Sequence, residues 1–110
     1  MANNTRTEIH RYFSQSIGSI GNSMEYITRI MTELLPKDIQ TSIVISELSE
    51  LFDVISMTEN VRAIDLYNEV LATGGCSDLG KYAEYLIECY AAYRILGQAQ
   101  EYILHTKNNF

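Results

Sequence analysis

The chain has no tryptophan, one proline, two cysteines and six glycines in 110 residues. It also has no long apolar run. Each scarcity excludes something. Glycine and proline are the strongest local breakers, so a chain punctuated only by Pro36 and a few glycines favours long helices over many short strands. Cys76 and Cys89 are too few for a disulfide scaffold. A chain of this length buries roughly two thirds of its unfolded surface in one core, so its stability requires neither a disulfide nor a metal. No stretch approaches the eighteen or so apolar residues of a membrane span, and the opening MANNTRTEIHRYF lacks the apolar centre of a signal peptide. The expectation is a cytoplasmic chain with reduced thiols and no membrane insertion.

The hydrophobic fraction, 46%, is that of a folded globular chain. The net charge of −6 is uneven. Residues 1–37 carry four Lys/Arg against three Asp/Glu, residues 38–75 one against seven, and residues 76–110 three against four. Nucleic-acid affinity comes mainly from Lys and Arg neutralising phosphates, and eight scattered basic residues are a poor provision for that. The acidic middle suits a basic or apolar protein partner better.

Helical rather than alternating periodicity runs through the segments between breakers. Ile9, Tyr12, Phe13 and Ile17 share one helix face, capped near Asn4 or Thr5 and weakening from Gly18 to Gly21. Asn22 or Ser23 caps a second helix with the stripe Met24, Ile27, Ile30, Met31, Leu34 and Leu35, closed by Pro36. Asp38 caps a third helix to about Met57, apolar enough to be buried on two sides. A fourth spans roughly Val61 to Thr73 and stops at Gly74-Gly75. Ser77 or Asp78 caps a fifth, and Gly97 marks a kink or turn before a short last helix. The expected fold is all-α, with five to six helices as stacked antiparallel hairpins or a compact bundle. It forms a single domain over 1–110, with an N-terminal hairpin (1–37), further hairpins (38–105) and a frayed tail (106–110).

Chemistry-bearing motifs are sparse. His10 and His105 lie at opposite ends of the sequence, and with Cys76 and Cys89 they contain no C-x2-C or H-x3-H pair to nucleate a zinc site. Cys76 precedes a helix N-terminus, where a thiol can be activated, but no base lies near it in sequence. Glu47 with Glu50, and Glu84 with Glu88, put carboxylates on one face without the Glu-x-x-His of a di-iron bundle. There is neither a phosphate loop nor a Gly-x-Ser-x-Gly elbow. The reading is a non-enzyme with no catalytic residues, metal or cofactor. Eight tyrosines remain. Tyr67, Tyr90 and Tyr102 are assigned to the core, and Tyr82, Tyr85 and Tyr93 to partly exposed positions.

Ala63, Tyr67 and Val70 stand at the offsets of the second helix of a tetratricopeptide repeat, and Leu86, Tyr90 and Ala99 match the next unit. Residues 42–105 thus resemble that repeat family. Arg94 in place of the turn glycine and Leu51 in place of a small residue depart from it. The run from Leu86 to Tyr90 through Gln98 to Glu101 looks most like the small helical-repeat chaperones of bacterial type III secretion. The resemblance implies a chaperone or adaptor that grips a peptide or helix of another protein. Ile45, Leu48, Phe52, Glu84 and Glu88 would face its concave groove, with Tyr82 and Tyr85 as further contacts. The alternative for Ile45, Leu48 and Phe52 is ordinary core. EIHRYF, MTELL and VRAIDLYNEVL are similar in order to the small enterobacterial biofilm and acid-resistance connector proteins. That second resemblance implies a homodimeric regulator acting by protein contact.

Overall fold

A computed structural model describes residues 2–54, 65, 68 and 78–110. Among them are three α-helices: α1 (Ala2–Leu34), α2 (Thr41–Val54) and α3 (Ala83–Asn109), with a 3-10 turn at Gly80–Tyr82 before α3. The all-α class is as expected, but five to six helices are not what the described residues form. Helix α1 runs unbroken through Gly18 and Gly21, so the opening hairpin is one 33-residue helix. Helix α3 likewise passes straight through Gly97 and continues to Asn109 where a frayed tail was expected. Apart from Asp65 and Asn68, the expected fourth helix, with Ala63, Tyr67 and Val70, lies outside the described residues, as does the Gly74-Gly75-Cys76 joint.

Why glycine fails to stop these helices is visible in what lies opposite. A glycine inside a helix costs about 1 kcal/mol relative to alanine. That is less than one well-buried aliphatic side chain contributes. On α1, His10, Phe13, Ile17, Ile20, Met24, Ile27, Met31 and Leu34 recur at alternating three- and four-residue steps, and all are at least partly buried. On α3, Leu86, Cys89, Tyr93, Leu96, Gln100, Ile103 and Lys107 do the same, and the exposed Phe110 continues the spacing just past the helix end. This is the heptad spacing of a coiled coil. The helices run antiparallel. The His10 ring meets Phe110 at 5.5 Å, Gln100 Nε2 donates to the Ile17 carbonyl at 3.0 Å, and the Met24 methyl lies 3.4 Å from where a Cβ on Gly97 would stand. Gly21 gives Gln100 its room, since a Cβ there would be 3.2 Å from the amide nitrogen.

Proline does stop α1. Pro36 disfavours helical geometry at Leu35, and the last bond runs from Leu35 N to Met31 O at 3.0 Å. A Lys37-Asp38 turn follows, and α2 begins at Thr41, three residues beyond the expected cap at Asp38. The Thr41 hydroxyl meets that of Thr32 at 2.6 Å and ties the start of α2 to α1. Val44, Leu48, Leu51 and Phe52 are buried while Ile43 is half exposed, so α2 buries one face rather than two.

The core gathers at the end of the pair that α2 covers. Met31, Leu35, Val44, Leu48, Leu51, Phe52, Leu79, Leu86, Ile87 and Tyr90 form one buried cluster. Phe52 and Tyr90 meet edge to face at 5.1 Å, and Arg94 donates to Asp53 Oδ1 at 2.6 Å on the rim. Among the described residues, nothing on α1 before Met31 or on α3 after Tyr90 is fully buried. The radius of gyration is 17.4 Å, against about 13 Å for a compact domain of this length. The α1–α3 pair is a rod with its core at one end.

Candidate interaction surface

Among the described residues, helix α2 covers one face of the α1–α3 pair and no helix covers the opposite face. On α3, Tyr90 and Arg94 turn toward α2, as their contacts with Phe52 and Asp53 show. Glu88 and Ala92 lie two residues from Tyr90, roughly 200° around the helix. On α1, Thr32 is held to Thr41, and Ile30 is again two residues away. Between these opposite sides runs an apolar groove of about 520 Å³ lined by Ile27, Ile30, Leu34, Tyr82, Tyr85, Glu88, Cys89 and Ala92. A smaller extension of about 390 Å³ is lined by Tyr26, Arg29, Ile30, Glu33 and Leu34.

The groove exists because two helices supply more apolar surface than each can cover on the other. Ile27 and Leu34 belong to the heptad stripe, but Ile30 sits beside it and is 49% exposed. Tyr26 and Tyr85 are 64% and 61% exposed. Tyr82 and Tyr85 stand with ring centroids 6.4 Å apart at the groove's end. Cations lie over two of the rings: Arg29 at 5.7 Å from the Tyr26 centroid, itself paired with Glu25 at 2.9 Å, and Lys81 at 5.0 Å from that of Tyr82. Gly80 holds the approach to this corner. Its φ of +78° suits only glycine, a Cβ there would stand 3.1 Å from Pro36 Cγ, and its amide donates to Asp78 Oδ1 at 2.9 Å. Asp78 thus closes a tight side-chain turn ahead of the 3-10 turn, whose N-cap is Leu79, and does not cap α3, which starts at Ala83.

Of the groove positions expected from sequence, Tyr82, Tyr85 and Glu88 do line this surface. Leu48 and Phe52 do not: they are buried in the α2–α3 core, and Ile45 packs partly buried against it. The physical reason is that the long unbroken α1 lies alongside α3 and brings α2 down onto both. Glu84, in the first turn of α3, is partly buried and lies outside the groove lining. Tyr102, assigned to the core, is 77% exposed, whereas Tyr90 is buried as expected and Tyr93 partly so. Sequence reasoning missed Tyr26, Ile27, Ile30, Leu34, Cys89 and Ala92. Ile30 carried a readable signal, because it is the extra apolar residue in an otherwise strict three-and-four spacing.

The groove's one thiol is not activated. Burial, and then the negative charge of Glu88, push the Cys89 thiol above its usual range, which keeps it protonated at neutral pH. His10 packs edge-on to Phe13 and Phe110, and His105 pairs with Asn109, so the two histidines share one end of the rod. Among the described residues, no three His, Cys, Asp or Glu side chains are grouped to hold a metal ion, and no helix is long and apolar enough to cross a membrane. No known protein family, curated protein or solved structure matches the chain.

Proposed function

We propose that this protein is a non-enzymatic binding module, a small chaperone or adaptor that grips a helical segment of another protein on the bare face of its α1–α3 pair. The observation that carries the reading is the apolar groove with Ile30, Tyr26 and Tyr85 exposed on its walls. Tyrosine combines a large apolar body with a polar tip, which makes it stable in water and favourable when covered. An amphipathic helix laid into such a groove buries anchors at i, i+4 and i+7 against a matching stripe. The carboxylates of Glu33 and Glu88 on the groove's walls favour a partner with basic residues beside its apolar stripe. A homodimeric regulatory role would use the same face.

The test replaces Tyr85 by photoreactive benzoyl-phenylalanine in the cell of origin. Irradiation is expected to give discrete protein adducts at position 85 and none when the same group replaces Glu50 on the exposed side of α2. Equal adducts at both positions, or none at either, contradict the reading.

A further inference from the structure

From the layout of the bare face we infer that, while no partner helix occupies it, it is covered by a second copy of this chain, docked antiparallel across a two-fold axis near Asn22 of α1. This rests on the reading of that face as a binding surface. Three observations carry it. First, the large exposed apolar side chains extend well beyond the groove: on α1 Tyr12 shares the face with Tyr26 and Ile30, and on α3 Ile95 and Tyr102 share it with Tyr85. A short peptide in the groove would leave half of these in water, whereas a second rod covers the full length.

Second, the middle of the face is made of small residues. Ser16, Ser19 and Ser23 on α1 and Ala92 and Ala99 on α3 lie between the aromatic ends, where two copies would cross. Small side chains at the crossing let helix axes approach closely, and the bulky ends then fill the space on either side.

Third, the charges are self-complementary end to end. Arg6 and Arg11 sit at one end with their guanidinium groups over Phe110 and Tyr12, at 5.1 and 5.3 Å, and make no ion pair among the described residues. Glu33 and Glu88, also without an ion pair among the described residues, sit at the other end. Arg11 and Glu33 are equally far from Asn22 along α1, about 16 Å at the helical rise. A two-fold axis there brings Arg11 of one copy toward Glu33 of the other, twice, and lays each Tyr12 beside the other copy's Ile30. The result is a four-helix bundle with an α2 on each outer side.

Charge-swap sedimentation of the full chain tests this. Exposed ion pairs contribute little, but juxtaposed like charges at an interface cost several kcal/mol, so reversal is more informative than neutralisation. The wild type is expected to sediment at twice the chain mass. Arg6→Glu with Arg11→Glu, or Glu33→Arg with Glu88→Arg, should each halve that mass, with helical circular dichroism unchanged. An equimolar mixture of the two variants should return to the doubled mass, because both charge pairs are then restored. A wild type that stays at the single-chain mass overturns the inference, as do variants that both keep the doubled mass or a mixture that fails to recover it. A single-chain mass together with adducts at position 85 leaves the binding face standing and removes only self-pairing. A single-chain mass without those adducts removes both.

Discussion

Phe52 and Tyr85 are both aromatic residues on helices, yet one holds the protein together and the other does not. Phe52 is 3% exposed against Tyr90, while Tyr85 is 61% exposed on the opposite side of α3. What separates them is which helix lies opposite, and no single-residue property carries that information. The same applies to thiols. Cys89 sits in the heptad stripe, and its raised thiol pKa means a smaller thiolate fraction in the folded chain than in the unfolded one at any given pH near 8. Alkylation of Cys89 in a Cys76→Ser background should therefore be slower in the native protein than in urea, with its pH midpoint moved upward. The sign for stability follows. A raised folded value favours the folded state below the unfolded thiol's pKa, and that contribution is lost as pH rises through the folded value. Native and urea-unfolded midpoints that coincide would contradict the assigned environment.

At the scale of elements, the helical character of each segment was readable because hydrophobic periodicity is local, and the stop at Pro36 was readable because proline acts on its neighbour. The joins were not. Gly18, Gly21 and Gly97 look like breaks in isolation, and only the partner helix, some eighty residues away in sequence, decides that they are not. Gln100 meeting the Ile17 carbonyl is the clearest case, since a polar residue in an apolar stripe fixes register only once the two helices are paired. Glycines should accordingly divide by environment in urea unfolding. Gly18 faces open space within a helix, so Gly18→Ala should stabilise by about 0.5–1 kcal/mol. Gly80 is left-handed and crowded by Pro36, so Gly80→Ala should destabilise by about 1–3 kcal/mol. Equal signs for the two would mean that α1 is broken near Gly18, or that the Gly80 corner is not as described.

For the whole molecule, the all-α class was legible, whereas the groove was legible only in part. Tyr82, Tyr85 and Glu88 stand out in the sequence as groove positions, but their opposite wall, Ile27, Ile30 and Leu34, reads there only as the apolar stripe of a helix. An amphipathic stripe records that a side is buried without recording by what. Two continuous helices paired along their length expose a second apolar side, which a set of short stacked hairpins would have closed. On the proposed reading, stability and binding occupy opposite faces of one rod, with the buried cluster beneath α2 and the tyrosines on the far side.

That separation is the central claim, and urea unfolding of two single variants, monitored by helical circular dichroism in dilute solution, tests it most directly. Phe52→Ala should lose about 3–5 kcal/mol, the cost of emptying a buried aromatic site. Tyr85→Ala should stay within about 0.5 kcal/mol of the wild type, as exposed substitutions do. A Tyr85→Ala loss as large as that of Phe52→Ala would show that the tyrosine face is core, and the proposed binding surface would not exist.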